Sequence, residues 1–190
     1  MKKAELRKIY QQKRKSLSQN DISDFSLKIF KNFILQFKPI ENQRVHVFLP
    51  IKKFNEIDTH VFIDYFFENK IRVFVPKIIG EKLISVELKE GDVLIENSWG
   101  ILEPESSEDS EEKNYDFVIT PLLYCDHHGN RVGYGKGFYD GFFKKINSNC
   151  LKIGINYFSP LEIIDDIWEE DVALDYLVAP TEVLSFFDKG

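Results

Sequence analysis

Half of the ten glycines in this 190-residue chain fall within one short segment, from Gly129 to Gly141. The core of this segment, residues 126–140, reads DHHGNRVGYGKGFYD. Closely spaced glycines let a backbone approach an anion and turn several N–H groups toward it. Arg131 and Lys136 add positive charge, which can contact phosphate oxygens. The segment is therefore predicted to bind phosphate through its backbone N–H groups and through Arg131 and Lys136.

The residues at the end of this loop suggest further roles. A helix is predicted over residues 137–146, and its N-terminal end would favour a negative charge. Tyr139 can stack on a flat ring, and the Asp140 carboxylate can hold magnesium. The alternative is an ordinary tight turn in which Asp140 only caps the helix. The glycine spacing fits neither a Walker A loop nor a dinucleotide fingerprint.

A second group of cations lies near the start of the chain. The pattern there predicts a helix in which Leu6 and Tyr10 lie near one face. At 100° per residue, Lys3, Arg7 and Arg14 form one basic stripe beside that apolar face. A solvated basic face would give the same pattern. The stripe is therefore a candidate phosphate contact only if the fold brings it to the glycine-rich loop.

The remaining pattern predicts the elements that position these residues. Helical and strand-like segments alternate, which indicates a single α/β domain over residues 1–190 with a mainly parallel sheet. An acidic stretch at 103–112 is predicted to be a solvated, mobile loop. Helices are predicted at 2–16, 21–37, 59–69 and 137–146, strands at 44–49, 71–75, 115–120 and 151–156, an edge strand at 83–88, and weaker strands at 177–179 and 183–187.

Charge and composition restrict the classes of protein. The net charge is −6, and residues 103–113 hold six acids and one lysine, so the rest of the chain carries only −1. That balance disfavours bulk attraction to nucleic acid. Two cysteines make no disulfide framework, and no apolar run is long enough for a membrane span. We expect a monomeric, cytoplasmic protein that binds small molecules and neither nucleic acid nor membrane.

Residues 129–140, GNRVGYGKGFYD, resemble the signature of the 5-formyltetrahydrofolate cyclo-ligase family, approximately G-N-R-x-G-x-G-x-G-[FY]-Y-D. The basic first helix and the segments FLP…EIDT, NSWGILEP and EEDVALD follow in that family's order. The resemblance implies a Rossmann-like three-layer sandwich, similar to sugar isomerases and CoA transferases. It also implies ATP-dependent cyclisation of 5-formyltetrahydrofolate to 5,10-methenyltetrahydrofolate. ADP and phosphate would be released, through a phosphorylated formyl intermediate.

The resemblance also implies roles for individual residues. Lys3 and Arg7 match a K-x-x-x-R pair that contacts the nucleotide's phosphates, and Arg14 stays undecided. The ATP contacts implied in the loop are Arg131, Val132, Gly133, Tyr134, Gly135, Lys136, Gly137, Phe138 and Tyr139. Lys136 and Tyr139 would be catalytic. The predicted folate contacts are Leu49, Glu56, Trp99, Phe138 and Tyr139, with Phe48 beside Leu49, and the predicted magnesium ligands are Asp140 and Asp171.

Other interpretations of these residues are open. Glu56 alone reads as a surface acid, Trp99 as a core residue and Asp171 as a solvated charge. A metal site at Cys125, His127 and His128 is disfavoured, because adjacent loop histidines seldom converge on one ion. Two alternative functions are a different phosphate-ligand enzyme on the same scaffold and a non-catalytic nucleic-acid-binding protein.

Overall fold

The computed structural model describes residues 1–97 and 100–187. The helices are α1 (Lys3–Lys15), α2 (Gln19–Phe37), α3 (His60–Glu68) and α4 (Phe138–Phe143), with a 3-10 turn at Lys52–Phe54. The strands are β1 (Arg44–Val47), β2 (Arg72–Ile79), β3 (Lys82–Leu88), β4 (Leu94–Glu96), β5 (Leu102–Pro104), β6 (Phe117–Pro121), β7 (Tyr124–Cys125), β8 (Arg131–Val132), β9 (Leu151–Ile155), β10 (Tyr176–Val178) and β11 (Val183–Ser185).

Seven strands form one sheet in the order β11-β10-β9-β6-β1-β2-β3. The five strands from β10 to β2 are parallel, whereas β3 and β11 pair antiparallel at the two edges. The predicted α/β fold with a mainly parallel sheet is confirmed. The edge strand predicted at 83–88 and both weakly predicted C-terminal strands are also present.

Helices cover both faces of the sheet. In β1, Val45 and Val47 point into a core shared with α2 and α3, as successive strand residues alternate between faces. His46 points to the opposite face, where its ring lies 4.5 Å from the ring of Phe142 in α4. The parallel strands are buried on both sides, which explains why they read as continuous apolar runs. The layers are thus helix, sheet and helix.

Helix α2 shows how local sequence sets the boundaries of these elements. The Ser18 hydroxyl accepts a hydrogen bond from the Asp21 amide at 3.1 Å, and the Asp21 carboxylate accepts one from the Ser18 amide at 3.0 Å. This capping box satisfies donors that the first turn leaves unpaired. The helix ends at Phe37, and the next residue, Lys38, caps it in a left-handed conformation just before Pro39. Its buried stripe includes Ile29 and Phe33, and Phe33 packs against α3 and β6.

The structure differs from the sequence prediction in several elements. Helix α4 ends at Phe143, three residues short of the predicted end. The short hairpins β4–β5 and β7–β8 were not predicted. Residues 105–109 of the acidic stretch are exposed, but its start is fixed because Lys77 donates to the carbonyls of Pro104, Glu105 and Ser106 at 2.7, 3.3 and 3.1 Å. No helix within the described ranges has the length and apolar character that crossing a bilayer requires.

Candidate functional site

One cavity of about 1310 Å³ opens between α1, the glycine-rich loop, the loop after β1 and the β2–β3 hairpin. Pockets for one small ligand usually hold about 300–1,000 Å³, so this cavity has room for two. The fold brings residues distant in sequence to its wall, among them Lys3, Arg7, Glu56, Lys136, Asp140 and Asp171. Leu49, Phe138 and Tyr139 line it as well.

Helix α1 is held against the loop hairpin by aromatic packing. The rings of Tyr10 and Tyr124 lie 4.4 Å apart, and Leu6 packs in the same cluster. This contact turns Lys3 and Arg7 toward the cavity. The Arg7 Nε donates to the Gly133 carbonyl at 2.9 Å, which ties the helix directly to the glycine-rich loop. The basic stripe is therefore part of the cavity wall and not a solvated face.

The glycine-rich loop presents its centre to solvent. Gly135 and Gly137 adopt φ values of 90° and 67°, which favour glycine because a Cβ would strain the backbone there. A Cβ on Gly135 would also lie 3.4 Å from the Arg7 guanidinium. Lys136, between these two glycines, is exposed. The loop thus presents the exposed Lys136 between two glycines whose backbone conformation few other residues can adopt.

The two acids predicted to hold magnesium line the cavity, and each contacts a cation. The Asp140 carboxylate accepts from Arg131 at 2.7 Å and from the Val172 amide at 3.0 Å. The Asp171 carboxylate pairs with Lys3 and accepts from the Trp168 amide at 2.7 Å. No cluster of three or more metal-ligating side chains exists within residues 1–97 and 100–187. This donor set fits magnesium, which typically binds through one or two carboxylates plus substrate phosphates.

Glu56 lies in the buried part of the wall, with only 6% of its surface exposed. Its carboxylate accepts from the Ile51 amide at 2.8 Å and from the Tyr134 hydroxyl at 2.7 Å. Burial raises the pKa of this carboxyl, and these two hydrogen bonds and the nearby Arg14 charge oppose that shift. Reading Glu56 as a surface acid is therefore wrong, because the loop after β1 folds it inward beside Leu49.

Tyr139 is the second polar group of this buried region. Its hydroxyl is inaccessible to solvent and has no hydrogen-bond partner in the described parts of the chain. Burial also raises its pKa, so the phenol is neutral at physiological pH. A buried hydroxyl without a partner is costly. The Tyr139 ring lies 6.1 Å from the His46 ring and 6.0 Å from the Phe143 ring. Trp99, the other predicted folate contact, lies outside the described residues.

Sequence reasoning overlooked some residues of the site. Arg14, left undecided, is only 3% exposed and donates to the Tyr134 hydroxyl at 3.2 Å. Its position one helical turn after the buried Tyr10 could have revealed this, because residues at i and i+4 share a face. Trp168 lines the cavity while 68% exposed. In the sequence, Trp168 could have been recognised only as a single tryptophan in an acidic loop, three residues before Asp171.

Taken together, these features define an α/β enzyme in which several cations and a buried carboxylate line one large cavity. Residues 1–180 match the model of the 5-formyltetrahydrofolate cyclo-ligase family. The chain belongs to this family, and it is therefore a ligase of folate metabolism.

Relatives with this name cover nearly the whole chain. A probable 5-formyltetrahydrofolate cyclo-ligase of Schizosaccharomyces pombe is 29% identical over 97% of this chain and 98% of its own length. The 5-formyltetrahydrofolate cyclo-ligase of Mycoplasma pneumoniae is 30% identical over 94% of this chain and 98% of its own.

Solved structures agree with this assignment. The 5,10-methenyltetrahydrofolate synthetase of Aquifex aeolicus superposes with a TM-score of 0.82 at 28% identity, covering 100% of this chain and 95% of that one. The synthetase of Mycoplasma pneumoniae gives a TM-score of 0.72 at 26% identity, with 94% and 98% coverage. The fold is thus shared along the full length of the chain.

Proposed function

We propose that this protein catalyses the ATP-dependent cyclisation of 5-formyltetrahydrofolate to 5,10-methenyltetrahydrofolate, with release of ADP and phosphate. The observation that carries the proposal is the single cavity with two unlike ends. One end, the phosphate end, holds Lys3, Arg7, Lys136, Asp140 and Asp171. The other, the folate end, holds the buried Glu56 beside Leu49 and Phe48. A reaction between a nucleotide and an apolar ring system with polar edges requires this combination.

At the phosphate end, we assign ATP contacts to Lys3, Arg7, Arg131 and the loop from Val132 to Tyr139. Lys3 is paired with Asp171, and Arg131 with Asp140, so these two cations have counter-charges before substrate arrives. A phosphate oxygen can replace the carboxylate at Lys3. Asp140 and Asp171 would hold magnesium, which would supply positive charge to offset that of the phosphates.

The chemistry needs little from the protein beyond position and charge. The formyl oxygen attacks the γ-phosphorus of ATP and ADP leaves, which gives a phosphorylated formyl group. Nitrogen 10 of the same folate then attacks the activated carbon, loses its proton, and phosphate departs as the ring closes. Both nucleophiles belong to the substrate, so holding them close and stabilising charge is the main catalytic contribution.

Lys136 and Tyr139 are the residues we assign to catalysis. The exposed Lys136 ammonium can reach the transferring phosphoryl group and neutralise charge as it develops. The neutral Tyr139 hydroxyl would donate a hydrogen bond to the formyl oxygen or the phosphate bound to it once its side chain turns out of the buried position. Phe138, Leu49 and Glu56 would orient the pterin, and we also assign Trp99 to this ring.

Trp168 adds a contact for the nucleoside part of ATP. A turn holds its backbone, because the Asp171 amide donates to the Trp168 carbonyl at 3.1 Å and the Asp171 carboxylate accepts from the Trp168 amide. The indole therefore stands beside the Lys3–Asp171 pair, at the phosphate end. An exposed aromatic ring next to phosphate ligands is suited to stacking on a base. We assign the adenine to it.

The direct test is to mix the pure protein with magnesium-ATP and 5-formyltetrahydrofolate and follow methenyl-folate absorbance. We expect a signal that depends on ATP and is matched by equimolar ADP. Absence of the signal would reject the proposal. A different phosphate-ligand enzyme on this scaffold would neither bind nor consume ATP, and a nucleic-acid-binding protein would show RNA affinity that falls steeply with salt.

The setting of the enzyme is part of the same proposal. One chain supplies every residue assigned above, so we propose that it works as a monomer on small-molecule substrates. Cys125 and Cys150 are free and buried, which suits a reducing cytoplasm. Light scattering on the eluting protein, and fractionation of cells that express it, would test these two points.

A further inference from the structure

A chain of hydrogen bonds links helix α1 to the folate end of the cavity. Arg14 Nη1 donates to the Tyr134 hydroxyl at 3.2 Å, and that hydroxyl donates to Glu56 Oε1 at 2.7 Å. The other guanidinium nitrogen, Nη2, donates to the Leu122 carbonyl. The first two bonds join three parts of the molecule: α1, the glycine-rich loop and the loop after β1. They fix the relative positions of these three parts, and the Leu122 bond ties α1 to the segment between β6 and β7.

The direction of these bonds is set by the chemistry of the groups. A guanidinium only donates, and a phenol has one proton to give and oxygen lone pairs that accept. The Tyr134 hydroxyl therefore accepts from Arg14 and gives its own proton to Glu56. The second Glu56 oxygen accepts from the Ile51 amide at 2.8 Å. Each carboxylate oxygen therefore has a donor within hydrogen-bond distance, an arrangement that can hold the ionised acid.

The same loop is tied to α1 a second time. The Asn55 side-chain amide donates to the Arg14 backbone carbonyl at 3.1 Å. Asn55 adopts a left-handed conformation with φ of 49°, which turns the chain so that Glu56 points inward. Arg14 is thus linked to the Glu56 carboxylate through Tyr134, and its backbone carbonyl is bonded directly to Asn55, the residue before Glu56.

The charges around Glu56 explain why an arginine is buried here. Burial raises the pKa of the Glu56 carboxyl, whereas the Ile51 and Tyr134 hydrogen bonds and the Arg14 charge lower it. Tyr139 and Tyr157 also face this carboxylate, but burial raises their pKa values and both phenols are neutral. Arg14 thus supplies a positive charge that favours the ionised form of Glu56, in addition to the two hydrogen bonds.

We propose that Arg14 and Tyr134 are positioning residues that keep Glu56 ionised and fixed in one orientation at the folate end of the cavity. The proposal rests on the proposed function for the role of Glu56, but the ionisation it describes exists without substrate. Tyr134 stands between Gly133 and Gly135, so its hydrogen bond ties the Glu56 carboxylate to the glycine-rich loop.

The kinetic test is the pH dependence of kcat/KM for 5-formyltetrahydrofolate. The pKa of a carboxyl rises when a neighbouring positive charge is removed, so the ionised form is lost at a higher pH. We expect Arg14→Gln to move the acidic limb of the profile upward by about one pH unit. Tyr134→Phe should move it in the same direction, and Arg14→Lys should move it less. Lys15→Gln, at an exposed position on the same helix, is the control and should leave it unchanged.

A titration without substrate separates this proposal from the proposed function. Carbon-13 NMR of the Glu56 carboxyl, identified by its absence in Glu56→Gln, reports the ionisation directly. We expect a higher pKa for this carboxyl in Arg14→Gln and Tyr134→Phe than in the wild type. Tyr134→Phe keeps the ring and removes only the hydroxyl, so it serves even if Arg14→Gln fails to fold. Identical titrations in the wild type and Tyr134→Phe would overturn the proposal, whatever the enzyme assay shows.

Discussion

The two ends of the cavity handle charge in different ways. At the phosphate end, Lys136 is exposed, and Lys3 and Arg131 are paired with acids that also line the cavity. At the folate end, Glu56 is buried and compensated through Tyr134 by a buried arginine. The phosphate end must exchange partners when it binds a ligand, whereas the folate end is organised in advance. Binding highly charged phosphates requires replaceable counter-charges, and orienting a ring requires fixed ones.

The largest expected effect comes from removing Lys136, the exposed lysine of the phosphate end. Lys136→Ala should lower kcat by roughly 10²–10³-fold, because it removes a charge that acts on the transferring phosphoryl group. Thermal unfolding should be nearly unchanged, since this lysine is exposed. Steady-state kinetics would measure the loss, with Lys145→Ala as the exposed control. Near wild-type turnover in Lys136→Ala would show that the loop lysine lies outside the reaction.

Glu56→Gln tests the contribution of the folate end. The neutral amide keeps the size of the side chain but removes the ionised acceptor, and hydrogen bonds to charged groups contribute about 1.5–3 kcal/mol. We expect kcat/KM for 5-formyltetrahydrofolate to fall by about 10–100-fold, with the KM for ATP unchanged. Glu68→Gln, at an exposed position on α3, is the matched control. An equal loss for both substrates would contradict the division of the cavity into two ends.

Asp140→Asn examines the exchange of partners at the phosphate end. The amide can still accept from Arg131 and the Val172 amide but binds magnesium more weakly than a carboxylate does. The magnesium concentration for half-maximal activity should rise about tenfold, in the range seen when a metal site loses a supporting group. A magnesium titration at saturating ATP measures this. If the titration curve does not move, Asp140 only holds Arg131 in place.

The smallest expected effect concerns the nucleoside. Stacking on an aromatic ring contributes about 1–3 kcal/mol per base, so Trp168→Ala should raise the KM for ATP about tenfold. Trp168→Phe should recover most of the affinity, and Leu161→Ala, at another exposed apolar residue of the same loop, should have no effect. Inorganic tripolyphosphate lacks a base, so its inhibition constant should be the same in Trp168→Ala and the wild type. A loss for tripolyphosphate as well would place Trp168 on the phosphates instead.

Patterns that depend on burial predicted the fold well. The parallel strands appear as apolar runs because helices cover both sheet faces, and α2 shows both its cap and its stripe in the sequence. The hairpins β4–β5 and β7–β8 have strands of only two or three residues, too short to show a period. The order of strands in the sheet depends on long-range pairing, which no local pattern contains.

The parts of the candidate site that could be predicted are those whose functional residues lie close together in the sequence. The glycine-rich loop stands out because its glycines have a backbone role, and Lys3 and Arg7 follow a helical spacing. Glu56 was assigned only through the family resemblance, since a single acid in a loop carries no local signal. The sequence leaves the role of Arg14 undecided because its partner, Tyr134, is 120 residues away. Contacts at that distance appear only once the chain is folded.

The size of the cavity has a consequence for inhibitors. Because both ends open into one space of about 1310 Å³, a compound that joins a nucleoside phosphate to a pterin could occupy both at once. Linking two weak binders makes the second contact intramolecular, and a short linker gives effective concentrations in the millimolar range. Selectivity for this enzyme would then depend on a linker length that matches the distance between Trp168 and Glu56. Neither half of the compound, bound alone, depends on that distance.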